Sequence, residues 1–480
     1  MKRKISALLL LTMLASLAAC GREETPAQDT TEGVGTANPG NETVSLAEQY
    51  GIVKADFGNE EVCIITGEHV EYEFMCDESS GDIVENAIYK RNLNVEELLN
   101  VDFSFVSAPN WTQAGEFYSL ILSDVLAGDS TYDIVNGLNV FTTPMIFEGV
   151  FARLDTIDTI DFSHPWWVPG QALDGSGEVY MAFSDASLSL YKDLYVIFFN
   201  QSIIEENKME SPYELVENNN WTMDSFLKLA AEGSRDVNGD EAITEDTDQL
   251  AFLAKHAAMR SFMTASELSL IGTDANGEPQ FLSLNDRMVN VFEKYKNFLT
   301  NKSLAFISME ADMIQLSQPF VDGRVLFLNN CLIAVEGMRN MTDDYGIVPM
   351  PKYDESQESY HTQIATSTSA FYMPVTVEDP DMIGTVMEAL GFYSYTEVVP
   401  TYYDTALSVK YARDEQVQQM LALVRQSAST SIDFLYSAIF NTNDLIDTAW
   451  RGKELASWHA SMETAITAKL YEYLDIDIDG

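Results

Sequence analysis

The chain has 480 residues, and 27 lysines and arginines against 75 aspartates and glutamates leave a formal charge of −48. Such a charge repels phosphate backbones and anionic headgroups, which excludes nucleic acid and electrostatic membrane adhesion as modes of action. With 46% apolar and 11% aromatic residues the chain buries substantial cores, and its length suits about two or three domains better than one.

Lys2, Arg3 and Lys4 precede an uncharged run from Ile5 to Leu17 and then small residues, the pattern of an export signal. Leu17-Ala18-Ala19-Cys20 is similar to the bacterial lipobox, in which the cysteine is acylated and becomes the first mature residue. Residues 1–19 are then a signal peptide and Cys20 the lipidation site, which holds a protein at a bilayer without a spanning helix. Gly21 to Thr43 contains one large aliphatic residue, Val34, too little to fold on, so residues 20–58 read as a lipid-anchored flexible linker. The expected location is outside the cytoplasm, anchored to the bacterial cell membrane through the lipid on Cys20 alone. Cys63, Cys76 and Cys331 remain, an odd set that leaves at least one thiol free. A Cys63–Cys76 disulfide stays open, although a hairpin of 61–66 with 70–76 would set Cys63 against Glu73.

Val70, Tyr72, Phe74 and Cys76 alternate with Glu71, Glu73 and Met75, which predicts a strand. Asp82 to Asn100 then carries Val84, Ala87, Ile88, Val95, Leu98 and Leu99 along one helical face. Val101–Val106 reads as a strand, Phe117–Leu126 as a helix and Tyr132–Val135 as a third strand, so the region is a βαβαβ unit. Parallel strands joined this way take ligands beyond their carboxyl ends, where Asp77, Glu78 and Asn136 fall. Leu194–Phe199 and Val325–Leu328, the latter followed by Asn329 and Asn330, read as strands passing between lobes. Asp379-Pro380 opens a helical C-terminal region with apolar stripes at Val417, Met420, Leu421 and Val424 and at Leu455, Trp458, Met462, Ile466 and Leu470.

The five histidines, His69, His164, His256, His361 and His459, stand in no metal-ligand spacing, and no nucleophile elbow or P-loop occurs. Asp236, Asn238 and Asp240 alternate as in the start of a calcium loop, but Glu241 stands where glycine belongs and Thr247 where a bidentate acid belongs. Two readings stay open: a structural calcium held by Asp236, Asn238, Asp240 and Asp246, or an acidic turn. No other cofactor is expected. In His164-Pro165-Trp166-Trp167 the adjacent indoles lie outside any amphipathic pattern. Trp166 and Trp167 either stack on the apolar face of a sugar ring or close a core.

The lipobox and leash, Ala87 to Asn92, Tyr132 to Val135, His164 to Trp167, Phe198 to Asn200, Asn220 to Asp224, Asp344 to Lys352 and the tyrosine-rich stretch near 402–414 together resemble extracellular solute-binding lipoproteins of ABC transporters, in the carbohydrate-type, maltose-binding-protein-like branch. The resemblance runs from about Val70 onward. It implies an α/β, two-lobed, type II periplasmic-binding-protein-like fold, each lobe a mainly parallel sheet flanked by helices. It also implies a monomer that binds a sugar or oligosaccharide between lobes, delivers it to ABC permease transmembrane subunits and performs no catalysis. The lobes are expected at 59–198 plus 326–372 and at 199–325 plus 373–480, with hinges near Phe199–Asn200, Phe327–Asn330 and Ser369–Met373. Asp77, Glu78, Asn136, Trp166, Trp167 and Asn330 are the expected ligand contacts. Two alternatives share the composition: a surface glycan-active enzyme with paired carboxylates, and a glycan-sensing or adhesion lipoprotein without a permease.

Overall fold

A computed structural model of the chain describes residues 45–109, 113–168, 178–273, 279–310, 312–407 and 415–474. The chain divides after Ser45; the export signal, Cys20 and the leash 21–43 lie outside the described residues.

From Leu46 onward two main sheets are built from β1 (Glu60–Gly67), β2 (Val101–Ala108), β3 (Ile134–Leu138), β4 (Tyr195–Asn200), β5 (Leu250–Lys255), β6 (Ala305–Ser308), β7 (Val325–Cys331), β8 (Tyr345–Val348) and β9 (Ser369–Tyr372). The longer helices are α1 (Ile83–Leu99), α2 (Ala114–Ala127), α3 (Met223–Gly233), α4 (Ala258–Ala265), α5 (Asp286–Thr300), α6 (Pro380–Tyr393), α7 (Val399–Leu407), α8 (Glu415–Gln426) and α9 (Leu455–Leu474).

The first sheet runs β9-β3-β1-β2, with β1 parallel to β2 and β3, and β9 antiparallel to β3. Alternate residues of β1 serve its two faces: Val62 and Ile64 pack with Val95 and Leu99 of α1 and Ile383, Val386 and Leu390 of α6, while Cys63 and Ile65 pack with Phe117 and Ile121 of α2. Each such fully buried aliphatic or aromatic side chain contributes about 1.5–3 kcal/mol relative to exposure. Helix α1 starts where expected because the Asp82 carboxylate accepts the N–H groups of Val84 and Glu85 at 2.7 and 3.1 Å. The second sheet runs β8-β4-β7-β5-β6, with β5 parallel to β6 and β7, and β4 antiparallel to β7 and β8. Phe226 of α3, Phe252 of β5, Phe262 of α4 and Phe298 of α5 fill its core.

Four expectations are corrected. Residues 70–76 form a 3-10 turn, Glu71–Glu73, rather than a strand; Val70 and Phe74, four apart, are the buried pair. The linker ends earlier than residue 58: Ile52 is buried, Ala55 and Phe57 N–H donate to Leu98 and Leu99 carbonyls at 3.1 and 3.0 Å, and Tyr50 meets Trp166 edge-on at 5.3 Å. Both strands read as crossings, β4 and β7, lie wholly in the second sheet and pair with each other. A central strand buried on both faces has the same apolar run as a crossing strand. The chain instead crosses at 189–194, before β4, and at 364–368, before β9. Accordingly 326–368, which includes β8, belongs with the second sheet, whereas α6 packs on the first.

The C-terminal region is helical, with Val417, Met420, Leu421, Val424, Leu455, Trp458, Ile466 and Leu470 buried. It is stapled to the second half by the buried Asp433 carboxylate, which accepts from Ile271 N at 2.6 Å and Ser269 Oγ at 2.8 Å. Cys63, Cys76 and Cys331 are free thiols, and burial pushes Cys76 up to about 11. Among the described residues no helix is long and apolar enough to cross a membrane.

Candidate functional site

At the carboxyl end of the first sheet the organising group is Glu73, placed by the 3-10 turn after β1 and fully buried. Its carboxylate accepts from Ser189 N at 2.6 Å, Ser369 Oγ at 2.6 Å and Asn136 Nδ2 at 2.8 Å. Burial pushes its pKa up and these donors hold it down. Asn136, expected just beyond a strand ending at Val135, stands inside β3 and serves as a partner of Glu73 and of Thr66 Oγ1 at 3.2 Å. Asp77 and Glu78 do not: both are exposed in the turn before α1, where Asp77 Oδ1 accepts Ser79 N at 2.7 Å. They were placed by a strand that is absent.

Residues from both halves meet beside each of the two crossing segments. Lys192, between α1's sheet and β4, pairs with Glu336 beyond β7 at 3.2 Å and sits 4.6 Å above the ring of Tyr72, beyond β1. On the other side the crossing segment 364–368 is gripped from both halves. Asn139, following β3, donates to the carbonyls of Ala365 and Thr368 at 3.2 Å each. Arg260 of α4 donates to Thr366 Oγ1 at 3.0 Å and to Asn443 Oδ1 at 2.5 Å. Ser367 Oγ donates to Asp193 Oδ2 at 2.8 Å, and burial pushes Asp193 up to about 6.

Around this segment buried polar atoms lack hydrogen-bond partners among the described residues: Asn139 Oδ1, Thr142 Oγ1, His256 Nδ1, Arg260 Nε, Thr368 Oγ1 and Asp447 Oδ1. A stranded buried donor or acceptor costs about 1–3 kcal/mol, so this concentration calls for partners. Burial lowers the pKa of His256, against the pull of Asp447, and lowers that of Arg260. Half-buried Trp450 adjoins the seam, its Nε1 donating to the Asp447 carbonyl at 2.9 Å and Arg451 lying 4.6 Å over its ring.

The remaining expected contacts lie elsewhere. Trp166 and Trp167 are 0% and 3% exposed, in the core shared by α1 and α6. Both indole N–H groups donate to the Glu388 carboxylate of α6 at 2.9 Å, and Trp166 packs against Tyr50, His164 and Phe392. In this structure the pair closes a core and presents no stacking face. Asn330 is buried inside β7, donating to the Met313 carbonyl at 2.7 Å and Ser317 Oγ at 3.0 Å while Cys331 N donates to it at 2.8 Å.

In the acidic loop the side chains satisfy the loop's own backbone. Asp236 accepts from Gly239 N and Glu241 N at 2.6 and 2.8 Å, Asn238 from Asp240 N at 2.9 Å, and Asp240 from Ala242 N at 3.0 Å. Asp248, which sequence reasoning passed over as a ligand, accepts from Val237 N and Thr244 N at 2.9 Å each, and these hold its carboxyl down at about 2. Asp246 is exposed. Among the described residues no group of three or more His, Cys, Asp or Glu is placed to hold a metal ion, and the hydrogen bonds match the acidic-turn reading.

No family model and no curated protein matches the chain. Solved structures do. UspC of M. tuberculosis superposes with a TM-score of 0.54 at 13% identity, over 85% of this chain and 100% of that one. The GacH receptor of Streptomyces glaucescens, solved unliganded and with acarbose and an acarbose homolog, gives 0.52 at 13% identity over 87% and 99%. The chain has the type II periplasmic-binding-protein fold. A cyclo/maltodextrin-binding protein complexed with maltotetraose agrees, with 0.52 at 13% identity over 87% and 98%. In a type II periplasmic-binding-protein fold each half contributes a sheet, which is the arrangement of β1–β3 with β9 and of β4–β8.

Glu73, Asn139, His256, Arg260 and Asp447 were missed from sequence. A signal existed for one of them: Leu250 to Ala254 is an apolar run ending in Lys255-His256, so a strand assigned there puts His256 at a carboxyl end.

Proposed function

We propose that this protein is a solute-binding receptor that closes two lobes on a sugar or oligosaccharide and hands it unchanged to an ABC permease. The observation that carries the reading is the seam around 364–368, where a buried donor (Arg260 Nε), buried acceptors (Asp447 Oδ1, Asn139 Oδ1) and His256 Nδ1, which donates or accepts according to its tautomer, lack partners among the described residues. A hydroxyl group donates and accepts at once, so a polyol satisfies both kinds, which neither an anion nor a cation does. Acarbose and maltotetraose, held by proteins of the same fold, are of that chemistry. The lobes of this reading are 46–188 with 369–407, and 195–363 with 415–474, flexing at 189–194 and 364–368. Lipidation of Cys20 would tether the receptor at the outer face of the cell membrane beside its permease.

Calorimetric titration against a panel that includes maltotetraose and acarbose tests the reading, with chromatography of the recovered solute. Binding without chemical change is expected, and Arg260→Gln should weaken it by about 10- to 100-fold, as loss of a hydrogen bond from a charged donor does. Absence of binding to every neutral sugar, or equal affinity in Arg260→Gln, would contradict it.

A further inference from the structure

Arg425 stands in the last turn of α8, a helix packed against β8 of the second sheet. Its guanidinium reaches out of that half. It donates to Asp185 Oδ1 at 2.5 Å, to the Tyr191 hydroxyl at 2.7 Å and, at 3.4 Å, to the Pro165 carbonyl, and it lies 5.3 Å over the Tyr191 ring. Asp185 is 1% exposed and belongs to the first half. Its N–H donates to the Trp166 carbonyl at 2.9 Å, and nearby Ala182 bridges to Phe371 of β9. Glu388 pins the same His-Pro-Trp-Trp segment to α6: besides the two indoles it accepts Asp161 N at 2.7 Å and lies 2.9 Å from His164 Nδ1. A polar path thus runs from α6 through Glu388, the tryptophan segment and Asp185 to Arg425 and α8, linking the halves apart from the two crossing segments.

We propose that Arg425 is a positioning residue, a latch whose ion pair with Asp185 holds the two halves in the arrangement seen here, with the His-Pro-Trp-Trp segment as its socket. Burying an ion pair adds little net stability, because desolvating two charges offsets their attraction. What the pair does favour is the one arrangement in which both partners meet, and a contact made in one state only biases the equilibrium between states by its own free energy. The planar fork of arginine serves Asp185, Tyr191 and Pro165 together, which a lysine ammonium does not. The inference needs no solute and is independent of which one binds.

The test is small-angle scattering of the solute-free full chain, with thermal melts alongside. Arg425→Met combined with Asp185→Leu removes both charges and strands neither. We expect a larger radius of gyration than wild type at a melting temperature close to it, and a smaller increase in Arg425→Lys. A double variant that melts like wild type and scatters like wild type overturns the latch. If the double variant does not fold, Arg425→Lys decides: an increased radius supports the latch, and an unchanged one overturns it. Either result leaves the sugar-binding reading standing, because no solute is present.

Discussion

Glu388→Ala is the most direct probe of how the tryptophan pair is held. Glu388 is 3% exposed and accepts from two indole nitrogens, from Asp161 N and from the His164 side. His164 and Asp161 are near enough to solvent to find water, so the loss rests on Trp166 and Trp167. Two stranded indole N–H groups at about 1–3 kcal/mol each give a destabilisation of about 4 kcal/mol. Unfolding entropy near 2.1 cal/mol/K per residue means that in a chain this long about 1 kcal/mol corresponds to one degree. The melting temperature should therefore fall by about 4 °C, and by about half of that in Glu388→Gln, which keeps one acceptor oxygen. Differential scanning calorimetry, with tryptophan emission to report wetting of the indoles, measures both. An unchanged melting temperature together with weakened solute binding would refute the argument, since the indole N–H groups would then serve a ligand.

Two further outcomes follow from the geometry. Burial pushes Asp133 up to about 6, above the ordinary carboxylate near 3.9, so its contribution is complete below about pH 4 and is lost as pH rises through 6. Asp133→Asn keeps an oxygen for the Cys63 N–H that Asp133 accepts at 2.8 Å; allowing for partial exposure, denaturant titration should show a gain on the order of 1 kcal/mol at pH 7.5 that vanishes at pH 4. Because the acidic loop 236–248 is closed by its own hydrogen bonds, the melting temperature should be the same in EDTA and in millimolar calcium; a rise with calcium would establish a metal there.

What was readable in the sequence was whatever is local. Helix α1 follows from apolar residues at helical spacing, and α6 from Asp379-Pro380. The βαβαβ order was likewise legible, although its first strand is 60–67 rather than 70–76. There, Val70 and Phe74 satisfy period two and period four equally, and the chain resolves the ambiguity as a turn. The site was not legible because its groups are defined by distant partners. Glu388 follows Trp166 by 222 positions, and Ser369 follows Glu73 by 296. The two readings of the adjacent tryptophans, sugar platform or core, could not be separated from sequence because their acceptor lies on a helix far along the chain. The aromatic pair thus carried a specific signal whose meaning is cohesion of the first half.

The grip of Glu73 on Ser189 and Ser369 has a mechanical consequence. Ser189 opens one connection between the halves and Ser369 closes the other, so a single carboxylate clamps both tethers at the same rim. Any swing of one half against the other must pivot within the few residues beyond that clamp, like a door whose two straps share one bolt. In the receptor proposed above, a fixed axle of this kind would convert small backbone rotations into a repeatable arc, so that the same jaws meet in the same register at every stroke.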